Sequence, residues 1–274
     1  VGKGDLNEAQ RNALTKGVQY RVDEVRKLVA EMLPQLKDRL PVIIRTSRLP
    51  DSLEGEQVVQ VLPLPSQGSL GLLSSDGRFK RLPVEDFQEL SGRATSVLKL
   101  KEGVTLRRVV SGQEGDTLVV ASSTGRMLRL NLNEANLPLM GRAAQGPMLM
   151  RLLPGEAVVG AACVPSPPDD SPAEDQATVV LATAGGQLKR LLVSSLRPCQ
   201  RGDMGQIGLR LQQRGDALID LQGAESTVMS ILTSKGLSGR IDLGPLLAED
   251  CGGVGISLNL PTGQQLQDLV PLIS

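Results

Sequence analysis

The chain has 274 residues, 40% of them hydrophobic, with Lys plus Arg equal to Asp plus Glu at 30 each. That length accommodates one substantial repeat domain with a small appendage, and the neutral balance gives no global basic signal for a nucleic-acid ligand. Aromatic residues make up 1% of the chain, and histidine is absent. The core is therefore aliphatic, a base-stacking platform is disfavoured, and Cys/His zinc patterns and imidazole-based triads are excluded.

In chain order, residues 1–41 read as a helical linker or docking segment, with helix signals across residues 5–40. Asp5 or Asn7 is placed to cap a first helix, followed by good helix formers. Val18, Val22, Val25, Leu28, Val29 and Met32 recur at spacings near three and four, which lines them along one stripe. Pro34 ends or kinks the second helix. From residue 42 to 274 the texture changes to short β-branched runs broken by glycine, such as "VII" at Val42, "VVQV" at Val58, "LVV" at Leu118 and "VVL" at Val179. This is strand and turn chemistry.

The β region repeats itself. Four units begin "LLSSDGRFKRLPVEDF" at Leu72, "VVASSTGRMLRLNLNEA" at Val119, "VVLATAGGQLKRLLVSSL" at Val179 and "SILTSKGLSGRIDLGPLL" at Ser230. Their equivalent glycines, Gly77, Gly125, Gly186 and Gly236, are separated by 48, 61 and 50 residues. Residues 165–176, "PSPPDDSPAEDQ", form a Pro-rich acidic insertion expected as a surface loop; without it the long interval shrinks to 49. Each unit carries a strand, a Gly turn suited to positive φ, and a second strand with a basic residue four after the glycine. Those residues are Arg81, Arg129, Arg190 and Arg240, with Lys80 and Lys189 preceding two of them. A second glycine follows (Gly92, Gly141, Gly202, Gly252), then an apolar strand closed by Gly103, Gly155, Gly215 or Gly263. Residues 53–71 match only the second half of a unit. Such a unit cannot bury both faces alone, so neighbours stack. The expected fold is an all-β repeat domain, propeller-like, with about five blades of four strands after a short α-helical segment.

The motifs "SSDGRFKRLPVEDF", "TAGGQLKRLLVSSL", "LKLKEGVTL" and "IGLRLQQRGDALIDL" resemble the β-pinwheel C-terminal domain of the DNA gyrase and topoisomerase IV A subunits. The resemblance covers roughly residues 50–274. It implies a non-catalytic accessory domain that binds and bends DNA around a basic outer rim. It places Lys80, Arg81, Arg129, Lys189, Arg190 and Arg240 on that rim as phosphate contacts, with affinity falling steeply with salt. The gyrase-box sequence Gln-Arg-Arg-Gly-Gly-Lys-Gly has no copy here; "QRGDMGQ" at Gln200 and "LSGRATS" at Leu90 stand nearest. This favours a topoisomerase IV-like or divergent module.

Other chemistry is thin. Asp169, Asp170, Glu174 and Asp175 cluster in the Pro-rich loop and read as a solvated acidic loop. "GDMG" at Gly202 and "CGGVG" at Cys251 lack the lysine and hydroxyl of a phosphate loop and read as repeat turns. Tyr20 has no arginine partner beside it and is not read as a nucleophile. No catalytic residue, metal site or cofactor is assigned. Cys163, Cys199 and Cys251 are widely spaced and read as reduced structural thiols, in keeping with a cytoplasmic or nucleoid-associated place. No run approaches a membrane span. Val1 in place of an initiator methionine suggests a fragment of a longer polypeptide. Expected partners are double-stranded DNA and the catalytic portion of a parent enzyme, with no membrane contact. Two alternatives stand beside this: an RNA-binding accessory domain of another nucleic-acid enzyme, such as a helicase, and a protein-interaction propeller.

Overall fold

Aliphatic runs flanked by glycine turns fold into antiparallel hairpins, and the hairpins stack. A computed structural model describes residues 59–60, 62–88, 96–166, 176–224 and 228–271. The chain divides into two compact units, Val1–Arg48 with Val61–Pro63, and Leu49–Gln60 with Leu64–Ser274. The helical segment expected over residues 1–41 lies outside the described residues, as do residues 53–58 and 61 of the partial unit at 53–71 and residues 167–175 of the loop at 165–176.

The second unit contains four sheets among the described residues. The first blade has the order β3 (Leu106–Gly112), β1 (Ser69–Ser74), β2 (Phe79–Pro83). The second has β6 (Val158–Val164), β4 (Thr117–Ser122), β5 (Arg126–Asn131), β9 (Gln206–Ile207). In the third, β10 (Leu218–Gly223), β7 (Thr178–Thr183) and β8 (Gln187–Leu192) are joined at the β8 edge by β13 (Ala248–Glu249) and β14 (Ile256–Ser257). The fourth has β15 (Leu266–Pro271), β11 (Val228–Thr233), β12 (Ser238–Asp242). One short helix, α1 (Glu85–Gln88), follows β2.

The outermost strand of a blade belongs to the next repeat. β9 lies in the third repeat but pairs antiparallel with β5 of the second, Met127 opposite Gln206. β14 of the fourth repeat pairs with β8 of the third, Leu188 opposite Ile256. In the first blade the same exchange is reduced to single bridges, Arg78 with Met148 and Arg81 with Leu139. The repeat expected to form one four-stranded blade of its own thus sends its third strand to the preceding hairpin. Among the described residues β12 pairs only with β11.

Two sets of glycines make the exchange sterically feasible. Gly77, Gly125, Gly186 and Gly236 turn the hairpins at φ between 76° and 90°. Gly146, Gly205 and Gly255 lead the donated segments, also at positive φ; a Cβ on Gly205 would lie 2.3 Å from Met127 O. A side chain at that second set would push the donated strand off its acceptor.

The central strands of the first three blades, β1, β4 and β7, read as near-continuous apolar runs because both of their faces are buried. On β4, Leu118 and Val120 face a core shared with Leu73, Phe79 and Val110 of the first blade, whereas Val119 and Ala121 face Leu181, Leu191 and Leu221 of the third. On β7, Val179 and Leu181 turn to the second blade, and Val180 and Ala182 to Met229 and Leu269 of the fourth. The period-2 alternation of a strand therefore feeds two cores at once.

One buried ion pair sits within the second blade, where Arg126 also donates to Met204 O of the segment supplied by the third repeat. Glu156 accepts from Arg126 Nε at 2.9 Å, from Leu153 N at 2.8 Å, from Ser122 and Thr124, and in an ion pair from Arg126 Nη2. Burial opposes ionisation of Glu156, but these hydrogen bonds outweigh it and hold its pKa down at about 2, against an ordinary 4.5. A depressed acid stabilises the fold above its ordinary pKa and loses that contribution as pH falls through its folded value. Glu156→Gln is expected to cost about 3 kcal/mol at pH 7, read as a lower urea midpoint. The gap between wild type and variant should hold down to pH 4.5 and close towards pH 2.

Candidate nucleic-acid interface

The basic residues of the second hairpin strands divide by burial. Lys80 on β2 and Lys189 on β8 are both 0% exposed. Lys80 Nζ donates to Val97 O at 2.7 Å and Arg142 O at 2.5 Å. Lys189 Nζ donates to Gly208 O at 3.0 Å and Gly253 O at 2.7 Å. Burial lowers both pKa values below the lysine norm, partly offset by Asp86 at Lys80 and by Cys251, Glu249 and Asp250 at Lys189. Each ammonium binds one carbonyl of its own repeat and one of the next. The expectation that these two lysines stand on a solvent-facing rim is therefore corrected. A donated segment that pairs over only one or two residues leaves carbonyls without N–H partners, and an ammonium carries three donors to satisfy them.

Arg81 is corrected for the same reason. It is 4% exposed, and its Nε donates to Ser69 Oγ at 2.8 Å, its Nη1 to Leu137 O at 3.2 Å and its Nη2 to Glu114 at 2.7 Å. Glu114 is held below the usual carboxylate range by that Arg81 hydrogen bond and by the one from Glu134 N. Arg129 is half-buried and donates to Leu196 O at 3.1 Å, again a carbonyl of the following repeat. Arg190 is half-buried with Nε on Thr178 Oγ1 at 3.1 Å, leaving its Nη nitrogens unpartnered among the described residues. Arg240 is exposed on β12, without a hydrogen bond or ion pair among the described residues.

A different repeat position supplies further free cations. Lys99, Arg151 and Arg210 are all exposed, and their side chains make no hydrogen bond or ion pair among the described residues. Two hydrogen bonds establish the equivalence of Arg151 and Arg210. Arg126, one residue after its turn glycine, donates to Arg151 O at 3.1 Å, and Gln187, at the same place in the next repeat, donates to Arg210 O at 3.1 Å. Lys99 takes the same register, since Lys80 grips Val97 O as Lys189 grips Gly208 O. Lys101 and Arg214 stand exposed nearby in sequence, and the fourth repeat has no base in residues 256–260. The signal for this row was present in "LKLKEG", "MRLLPG" and "LRLQQRG", where a base falls four or five residues before the closing glycine.

The glycine-rich stretches are turns. Asp250 takes the Gly252 and Gly253 amides at 2.8 and 3.1 Å, and Glu249 takes the Gly255 amide at 2.9 Å, so the chain's own carboxylates occupy the donors a phosphate would need. In "GDMG", Gly202 N donates to Leu149 O at 2.9 Å and Asp203 O accepts from Arg151 N at 3.0 Å, which docks this turn on the preceding repeat. Asp169, Asp170, Glu174 and Asp175 lie outside the described residues, and among those described no three His, Cys, Asp or Glu converge as a metal site.

Comparison with known proteins bears on this architecture. The sequence profile described as the DNA gyrase C-terminal domain, beta-propeller, matches residues 72–111, 116–165 and 177–222. The chain is 32% identical to the DNA topoisomerase 4 A subunit of Synechocystis sp. over 216 residues, which are 72% of this chain and 22% of that protein. It is 22% identical to the DNA gyrase A subunit of the same organism over 258 residues, 80% of this chain and 29% of that protein. The chain thus spans under a third of the length of these two relatives. Among solved structures, a DNA gyrase A C-terminal domain matches with a TM-score of 0.64 at 18% identity, covering 78% of this chain and 69% of that one. The C-terminal domain of DNA topoisomerase IV matches with a TM-score of 0.64 at 17% identity, covering 78% and 66%.

The seam role of the buried lysines has a direct measure. Lys189→Met keeps the volume but strands two carbonyls, and is expected to cost about 1–3 kcal/mol in a urea titration. Lys99→Met removes an exposed, unpaired charge and should stay within about 0.5 kcal/mol of wild type.

Proposed function

The repeat region of this chain belongs to the DNA gyrase C-terminal domain family, and we propose that it serves a topoisomerase as a non-catalytic accessory domain that holds duplex DNA by its phosphates. The observation that carries this is the row of unpaired, exposed bases, Lys99, Arg151 and Arg210, one in each of the first three repeats of a family fold. Lys101 and Arg214 extend it, and Arg190 and Arg240 are the members of the hairpin series that keep free guanidinium nitrogens. Arg129 contributes less, since it is held by Leu196 O.

Cations placed at one repeat position on stacked blades neutralise phosphates at several points along a duplex. Such contacts read no bases, which fits the scarcity of aromatic and amide side chains among these positions. The two Synechocystis relatives are both DNA enzymes by name, which favours duplex DNA over RNA as the ligand. The catalytic portion of the parent enzyme is the proposed partner, and a cytoplasmic place follows from the same reading.

The test is binding of this chain to a labelled 40-base-pair duplex, titrated across salt. Each phosphate contact contributes about −0.9 to the slope of log affinity against log salt. Replacing Lys99, Arg151 and Arg210 together by alanine should reduce the slope by about 2–3 and weaken binding alike on unrelated sequences. Lys80→Met should leave the slope unchanged. An unaltered slope in the triple variant, or no binding by the wild type at low salt, would overturn the reading and favour a protein-docking role.

A further inference from the structure

The innermost strand of every blade carries the same irregularity, one extra residue opposite its partner strand: Arg107, Val159, Ile219 and Gln267. The residue after each bulge pairs with the residue four before the turn glycine, so Arg108, Gly160, Asp220 and Asp268 occupy one repeat position. A bulge leaves backbone groups out of the ladder. Arg107 supplies donors for two of them, with Nε on Val159 O at 3.1 Å and Nη2 on Ile219 O at 3.4 Å. The bulge of the first blade thus holds the bulges of the second and third.

The next position adds a charge pair. Arg108 Nη2 forms an ion pair with Asp220 Oδ1, although β3 and β10 each pack against β6, which stands between them. Gly160 on β6 leaves the gap: a Cβ there would lie 3.2 Å from Asp220 Oδ1 and 2.9 Å from Leu221 N. Asp220 is 2% exposed, and its oxygens also accept from Leu221 N and Gln222 Nε2, both at 2.8 Å. Gln222 Nε2 donates in addition to Leu269 O of the fourth blade at 2.9 Å. Arg108 Nε is buried without a partner among the described residues, so removing the Asp220 carboxylate strands a buried guanidinium. Asp268, the fourth member of the position, is exposed.

We infer that Arg107, Arg108 and Asp220, admitted by Gly160, form a clasp across the second blade that fixes the rotation between the first and third blades and so the register of the exposed cations along a duplex. The second part rests on the DNA-holding reading; the first does not. These are positioning residues, acting through blade geometry.

The experiment uses the whole chain with Cys163, Cys199 and Cys251 replaced by serine and spin labels at Gln113 and Gln213, both exposed. The parent should give one narrow inter-label distance. Asp220→Asn, Arg108→Gln and the uncharged Gly160→Val should each broaden it about twofold or more, and Asp268→Asn should not. An unchanged distribution in all three overturns the clasp, whatever the chain does with DNA. Affinity for the 40-base-pair duplex then tests the register. Asp220→Asn removes a negative charge, so simple electrostatics would tighten binding, whereas a lost register weakens it, as Arg108→Gln must, by about 3- to 30-fold. Opposite shifts in these two variants, or none, overturn the link to DNA. Absence of binding by the parent would sink the DNA reading and leave the label distances to decide the clasp.

Discussion

The structure depends on a loan of backbone hydrogen bonds. A hairpin such as β4–β5 ends in an edge whose N–H and C=O groups need partners, and the following repeat supplies them with a short strand. Pairing extends over only two residues at β9, so the ladder alone leaves much of the borrowed segment unsatisfied. Side chains complete what the ladder does not. Arg126, Gln187, Lys80 and Lys189 each bind a carbonyl in their own repeat and one in the next. The cost of burying two ammonium groups is offset by two carbonyl dipoles on each.

This requirement explains why charge at one repeat position differs in meaning from charge at another. The second hairpin strand lies beneath its borrowed edge, and a long basic chain there is drawn into the seam. The segment that provides the edge turns alternate side chains away from it, so Arg151 and Arg210 stay in water. The fourth blade illustrates the contrast. Its hairpin has Leu237, Ser238 and Gly239 where the internal hairpins have Arg or Gln, a large apolar residue, and Lys or Leu, and all but Gly239 are exposed. Where the described chain offers no covering segment, the seam residues are absent as well.

Much of the fold was legible in the sequence because glycine and β-branched residues write turns and strands locally. The four hairpins fall around Gly77, Gly125, Gly186 and Gly236, as the 48-to-50-residue spacing implies. The destination of the third strand was not legible, since "QIGLRL" has the same apolar texture whether it pairs at home or with its neighbour. That single ambiguity misled the site reading. Lys80-Arg81 and Lys189-Arg190 are the most conspicuous basic pairs in the repeat, and with a home-paired strand they would face water. Burial of three of these residues follows from who covers whom, which is a tertiary fact. Lys99, Arg151 and Arg210 were readable from their distance to the closing glycine, but singly they resemble ordinary surface residues.

The exchange of edge strands puts the unit of sequence and the unit of folding out of phase. A whole repeat contains an acceptor hairpin and a strand made for the hairpin before it. Duplicating such a unit within the array therefore creates a matched giver and receiver in one event, with no new interface to evolve. Deleting one closes the gap in the same way. Copy number in an array of this kind is free to drift while its seams keep one chemistry, and the surface row of bases lengthens or shortens with it.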